Sequence, residues 1–238
     1  MPGTARSDTR LRRYADAATL TAELAAQIID ALEQGLRRSG RASLAVSGGR
    51  SPTALFELLS GAALDWRHVW ITLTDERWVD PASADSNERL VREHLLRNAA
   101  AAANFVSMKS DAATPEQAAA SSWAVIAALP RPFDYMLLGM GDDGHTASLF
   151  PGAPAIAAAI DPLQPPSCVG MIAPAAPRAR MSLNLSALLD ARRIGLLIMG
   201  ADKWSAYQRA AEDGPVAQMP VRALLRQQQV PLTIFWSP

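Results

Sequence analysis

The chain is 238 residues long and 49% of them are hydrophobic, enough to bury a substantial core, which excludes a disordered or fibrous protein. Lys plus Arg and Asp plus Glu both number 23, so the formal charge is zero, nothing resembles a nucleic-acid footprint, and any anion has to be met by a local cluster of cations. Cys168 is the only cysteine, Thr4 to Arg13 is polar rather than a signal core, and apolar runs such as Leu196 to Met199 are far too short to span a membrane, so a reduced cytoplasmic protein without disulfides is expected.

In chain order, residues 18–39 repeat apolar positions at Leu20, Leu24, Ile28, Ile29, Leu32 and Leu36, a helical stripe that ends at Gly40 as a left-handed cap. Ala42 to Val46 reads as the first strand. The turn Ser47-Gly48-Gly49-Arg50-Ser51 follows, then a helix to Leu59 with Ser51 as N-cap and Pro52 in the first helical position. Val69 to Leu73 is a second strand, ending in Thr74-Asp75-Glu76-Arg77. Asp85 and Glu88 frame a capping box for a helix to about Leu96, and Thr114-Pro115-Glu116-Gln117 repeats that start signal. Strands are expected at 134–139, 169–173, 180–185, 194–200 and 232–236, with helices near 202–212 and 219–228. The alternation predicts an α/β fold, an open and mostly parallel sheet flanked by helices, in one domain over residues 1–238. Gln164 to Pro166 reads as a surface loop, Trp66, Trp70 and Trp78 as core, and Cys168 as a small buried hydrophobe.

Ligands of such sheets gather beyond the carboxyl ends of the strands, and four loaded segments fall there. Gly48 and Gly49 let backbone amides approach an anion at a helix start, although a plain strand-to-helix turn would read the same; it is neither a P-loop nor a dinucleotide fingerprint. Asp75, Glu76 and Arg77 offer an acid or base beside a cation, with Glu76 the better candidate for a structural ion pair. Asp143 and His145 flank Gly144, a spacing that lets the carboxylate orient the imidazole as a base near neutral pH. A metal is the rival there, but Asp-x-His supplies only two ligands, and His68 and His94 sit in unrelated contexts. Arg178-Ala-Arg180 and Gly200-Ala-Asp-Lys203 add cations which, with Arg50 and Arg77, would make the local cluster the neutral chain otherwise lacks, or would simply be solvated.

Ser47-Gly-Gly-Arg-Ser-Pro52, Thr74-Asp-Glu-Arg77 with Asp85-Ser-Asn87, Gly139-x-Gly-x-Asp-Gly-His-Thr-Ala-Ser-Leu-Phe-Pro-Gly152, Arg180-Met-Ser-Leu and Gly200-Ala-Asp-Lys203 together resemble, in order, the motifs of 6-phosphogluconolactonases. The resemblance implies the Rossmann-like fold shared with glucosamine-6-phosphate deaminases, ribose-5-phosphate isomerases and coenzyme A transferases. It also implies hydrolysis of 6-phosphoglucono-1,5-lactone in the oxidative pentose phosphate pathway. Deaminases carry a similar Gly-x-Gly-x-Asp-Gly-His start, but continue to a catalytic glutamate where this chain has Phe150, and have Asp-Glu-Tyr where it has Asp-Glu-Arg. Arg50 departs from the lactonase pattern, in which Ser or Thr is common.

The implied site consists of His145 and Asp143 as the catalytic pair, backbone amides near Gly48, Gly49 or Gly141 for the oxyanion, and Arg77, Arg180 and Lys203 on the phosphate. Ser47 and Arg50 are expected at the substrate, and Asp75 near sugar hydroxyls. No cofactor, metal, nucleic-acid or membrane partner is implied, only a small phosphosugar lactone, with the chain a monomer or weak homodimer. A sugar-phosphate sensor would instead need a DNA-binding domain, and the residues before the first expected strand hold one long helix rather than a helix-turn-helix.

Overall fold

The computed structural model describes residues 9–238, so Thr4 to Asp8, part of the segment judged not to be a signal, lies outside the described residues. β1 (Thr9–Arg13) opens the description and is followed by α1 (Ala17–Ser39). Asp16 caps α1 by accepting a bond from the Thr19 amide at 2.7 Å, and Gly40 ends it at φ 71°, as the glycine predicts. One stripe of α1, including Leu20, Leu24, Ile28 and Leu32, is fully buried. β2 (Ala42–Val46) is buried along its whole length and leads into α2 (Thr53–Ser60). Pro52 occupies the cap position of α2 and Ser51 makes no capping bond, so the helix starts one residue later than its sequence suggests.

β3 (Val69–Leu73) is followed almost at once by β4 (Asp75–Arg77), then α3 (Asn87–His94), β5 (Asn104–Phe105) and α4 (Pro115–Ala127). The cap of α3 is Ser86, whose Oγ accepts from the Arg89 amide, rather than Asp85; Glu88 pairs with Arg92 and Ser107 instead of closing a capping box. Thr114 caps α4 as expected. β6 (Tyr135–Gly139) and α5 (Ile156–Ala159) precede the hairpin of β7 (Cys168–Ile172) and β8 (Ala179–Leu183). α6 (Leu185–Leu188), β9 (Ile194–Met199), α7 (Ala201–Ala211), α8 (Val221–Arg226) and β10 (Leu232–Ser237) complete the chain.

Among the described residues the strands form two sheets. The larger is wholly parallel in the order β1-β10-β9-β6-β2-β3-β5. The smaller is antiparallel, β4-β8-β7, so Asp75 to Arg77, read from sequence as the end of the second strand, is a strand of its own in another sheet. β1 was not expected either. Its Thr-Arg-Leu-Arg-Arg is exposed throughout and carries no apolar periodicity; it is held by backbone pairing with β10, Leu11 opposite Ile234. From β2 the chain moves outward to β3 and β5, then returns to the other side of β2 as β6, so the direction of winding reverses between β2 and β6. Val46 lies opposite both Leu73 and Leu137, which brings three strand ends out at one level beside that reversal.

Trp66 is in the core, while Trp70 and Trp78 are half-buried against it. Gln164 and Pro165 are exposed and Pro166 is half-buried, and no helix among the described residues is long and apolar enough to cross a membrane. Cys168 is buried in β7, and that burial pushes its thiol up to about 12. Iodoacetamide at pH 8 is therefore expected to leave Cys168 unlabelled in the native protein and to label it fully in denaturant, by mass spectrometry; rapid native labelling would contradict the packing.

Candidate active site

A cavity of about 370 Å³ opens beyond the ends of β2, β3 and β6, bounded on its far side by the antiparallel sheet. The first wall is the turn after β2. Ser47 is buried with its amide on the Leu137 carbonyl, whereas the amides of Gly48 and Gly49 carry no hydrogen bond among the described residues and line the cavity as open donors. Gly49 has φ 96°, which strains any other residue. Arg50 is exposed and lines a smaller adjoining cavity of about 70 Å³ with Lys203, so it stands outside the main one.

The loop after β6 brings Asp143 and His145 together. Asp143 Oδ1 lies 2.6 Å from His145 Nδ1 and also accepts the His145 amide at 3.0 Å. Burial alone would raise the Asp143 carboxyl, but these bonds and the imidazole outweigh it and hold it below the usual range, so it is a carboxylate that can only accept. Nδ1 is therefore the donor of this pair, and in the neutral ring that leaves the Nε2 lone pair free on an imidazole that lines the cavity. Phe150 packs on the imidazole with ring centroids 4.5 Å apart. The loop is braced from behind: the Gly141 amide donates to the His145 carbonyl, Thr146 Oγ1 to the Gly139 carbonyl, and the Val221 amide to the Gly144 carbonyl. That first bond uses up the Gly141 amide, so of the three amides expected near an oxyanion only those of Gly48 and Gly49 are without a bond among the described residues.

Asp75 is buried and lines the cavity at the centre of a chain of hydroxyls. Thr74 Oγ1 donates to Oδ1 at 3.3 Å, Ser47 Oγ lies 2.7 Å from Thr74 Oγ1, and Ser148 Oγ donates to Oδ2 at 2.6 Å. That one carboxylate ties together the segments that follow β2, β3 and β6.

Three of the expected cations, Arg77, Arg180 and Lys203, gather around the one cavity. Arg77 and Arg180 stand opposite each other on β4 and β8. Burial and the adjacent Arg77 pull the Arg180 guanidinium below its ordinary value, and its Nε is buried without an acceptor. Lys203, in the first turn of α7, donates to the Met140 carbonyl at 2.8 Å; burial lowers its amine, with nearby Arg50 adding to the effect and Asp142 opposing it. Arg178 is exposed and lines none of this space. His68 and His94 lie elsewhere, bonded to Asp65 and Glu57.

Asn87, Ser148 and the segment Ala173 to Ala175 also line the cavity and were not singled out in sequence. Asn87 had a signal, its place at the end of the Asp85-Ser-Asn87 motif, which the fold sets at the start of α3. Ser148 had a weaker one in its loop, and 173–175 had none, since the β7–β8 turn arrives there only through the fold.

An imidazole–carboxylate pair, free amides and three cations around one cavity of a doubly wound sheet define a sugar-phosphate enzyme of the isomerase and lactonase class. Residues 15–236 match the family model described as glucosamine-6-phosphate isomerases/6-phosphogluconolactonase, and the chain belongs to that family. Its relatives include a 6-phosphogluconolactonase of Pseudomonas aeruginosa, 44% identical over 228 residues that cover 96% of this chain and 94% of the relative. That of Rhizobium meliloti is 42% identical over 225 residues, 94% of this chain and 97% of the relative. The crystal structure of a 6-phosphogluconolactonase from Shewanella baltica superposes with a TM-score of 0.93 at 42% identity, covering 97% and 98% of the two chains.

A methyl group on Gly141 would come within 2.1 Å of His145 Cε1 and 2.8 Å of Asp143 Oδ1. Gly141→Ala is expected to push the ring off its carboxylate and lower turnover on the order of 10²-fold with an unchanged circular dichroism spectrum; a wild-type rate would show that the loop gives way instead.

Proposed function

We propose that the chain is a 6-phosphogluconolactonase that hydrolyses 6-phospho-D-glucono-1,5-lactone to 6-phospho-D-gluconate, acting as a single cytoplasmic domain. The observation that carries the reading is the 2.6 Å Asp143–His145 contact at the edge of a cavity that also holds two open amides and three cations. His145 Nε2 takes a proton from water as the water oxygen bonds to the lactone carbonyl carbon. The carbonyl oxygen becomes an oxyanion, held by the Gly48 and Gly49 amides; one such donor is typically worth about 3 kcal/mol of barrier. When the tetrahedral intermediate collapses, the bond to the ring oxygen breaks and the imidazolium returns its proton to that oxygen. Asp143 stabilises the imidazolium throughout. The new carboxylic acid then ionises, so one proton is released per turnover.

Arg77, Arg180 and Lys203 hold the phosphate, and that remote binding energy orients the carbonyl for attack. Asp75 meets sugar hydroxyls from a position fixed by Ser148 and Thr74. Phe150, where the deaminases carry their glutamate, contributes an apolar ring beside His145 and no carboxylate, which supports hydrolysis over deamination.

The test is a proton-release assay on freshly made lactone against an enzyme-free blank. His145→Ala is expected to lose about 10²- to 10⁴-fold in kcat, and retention of the wild-type rate would remove the general base. Lys203→Ala should raise KM for the phosphorylated lactone roughly 10- to 100-fold and spare unphosphorylated gluconolactone; equal losses on both would contradict a phosphate clamp.

A further inference from the structure

Glu76 stands between two residues of the cavity wall, Asp75 and Arg77, yet does not line the cavity itself. Its side chain is 1% exposed, and among the described residues it has no Lys, Arg or His in ion-pair contact. A buried carboxylate without a counter-ion is costly and persists only where donors replace its water. Four do so here. Oε1 accepts the amides of Arg77 and Asn87, each at 2.7 Å, and Oε2 accepts the Glu88 amide at 2.7 Å and Ser86 Oγ at 3.0 Å. The expected ion pair of Glu76 is thus replaced by a cap of backbone donors at the start of α3.

These donors are not spread evenly. Arg77 ends β4 and the other three begin α3, so one carboxylate closes the neck of residues 78–85. Inside that neck the Arg77 guanidinium donates to the Asp85 carbonyl. Asn87, fixed through its amide, donates Nδ2 to the Asp75 carbonyl at 2.9 Å and lays its carboxamide against the turn after β2. A methyl group on Gly48 would sit 1.9 Å from Asn87 Oδ1. Glu76 therefore bears on Arg77 directly and on Asn87 and Gly48 in succession, all of which line the cavity.

We propose that Glu76 is a positioning residue of the phosphosugar site: without touching substrate, it holds Arg77, Asn87 and, through Asn87, the Gly48 turn in the pose that receives the phosphorylated ligand. The assignment rests on the lactonase reading for its substrate, but the placement of an anion-binding wall does not. Glu76→Gln keeps the shape and one acceptor oxygen while turning an NH₂ toward the Glu88 amide, so two donors face each other. The expected result is a KM for the phosphorylated lactone raised about tenfold with kcat within about threefold, and inorganic phosphate bound about tenfold more weakly by calorimetry.

Glu88→Gln is the control. Glu88 is also buried in the first turn of α3, but bonds Arg92 and Ser107 and lines no part of the cavity. It should lower the melting temperature without moving KM or the phosphate Kd. If both variants lose stability and neither moves those two values, or if both raise them equally, Glu76 is structural and the proposal falls. A drop in kcat at constant KM overturns it as well. If the wild type fails to hydrolyse the lactone, the lactonase reading fails, while the phosphate Kd of the two variants still decides the role of Glu76. Should Glu76→Gln not fold, Glu76→Asp, which keeps the charge on a shorter arm, must raise KM and Kd in the same pattern; wild-type values would refute the proposal.

Discussion

The pairing of β2 with β6 is the constraint on which the site depends. Because these two parallel strands run in register and the connections leaving them wind opposite ways, their loops diverge and a crevice is left where they part. The two glycine-rich loops both start there, so close approach is unavoidable. The carboxamide of Asn87 fills the place of a side chain at Gly48, and the His145 ring does so at Gly141. Glycine at these positions is the room that the neighbouring functional groups occupy.

Polar groups pressed into so small a space must satisfy one another, and the site does this with backbone and hydroxyl partners more than with opposite charges. Asp143 is held by its own loop, Asp75 by two hydroxyls, and Glu76 by three amides and a hydroxyl. The consequence is electrostatic. Among the described residues, acids that are satisfied by neutral donors make no ion-pair contact with Arg77, Arg180 or Lys203, which line the cavity although the chain as a whole carries no net charge.

Much of this was legible in the sequence because it is local. The α1 stripe and its glycine end, the buried strands and the Asp143-Gly-His145 spacing each rest on residues within a few positions of one another, where periodicity and turn chemistry act. What escaped is set by contacts distant in sequence. β1 has no apolar face and exists through its pairing with β10, and β4 reads as the tail of β3 until β8 lies beside it. The meeting of Arg77, Arg180 and Lys203 around one cavity, the loss of the Gly141 amide to the His145 carbonyl, and the exclusion of Arg50 from the main cavity likewise depend on where separate loops meet. Ser51 and Asp85 show a smaller failure: a good capping residue lay next to the true cap in both cases, and the local geometry chose its neighbour.

The two rims of the parallel sheet have a significance separate from the chemistry. An open sheet ends in unpaired backbone groups that could template another chain, a hazard that barrels remove by closing. Among the described residues one rim, β5, is only two residues long, and the other, β1, sets Arg10, Arg12 and Arg13 along its exposed length. The same arginines that hid β1 from sequence reading repel a like strand arriving edge-on, so the protein can keep its sheet open for a catalytic crevice without inviting fibrous growth from its margins.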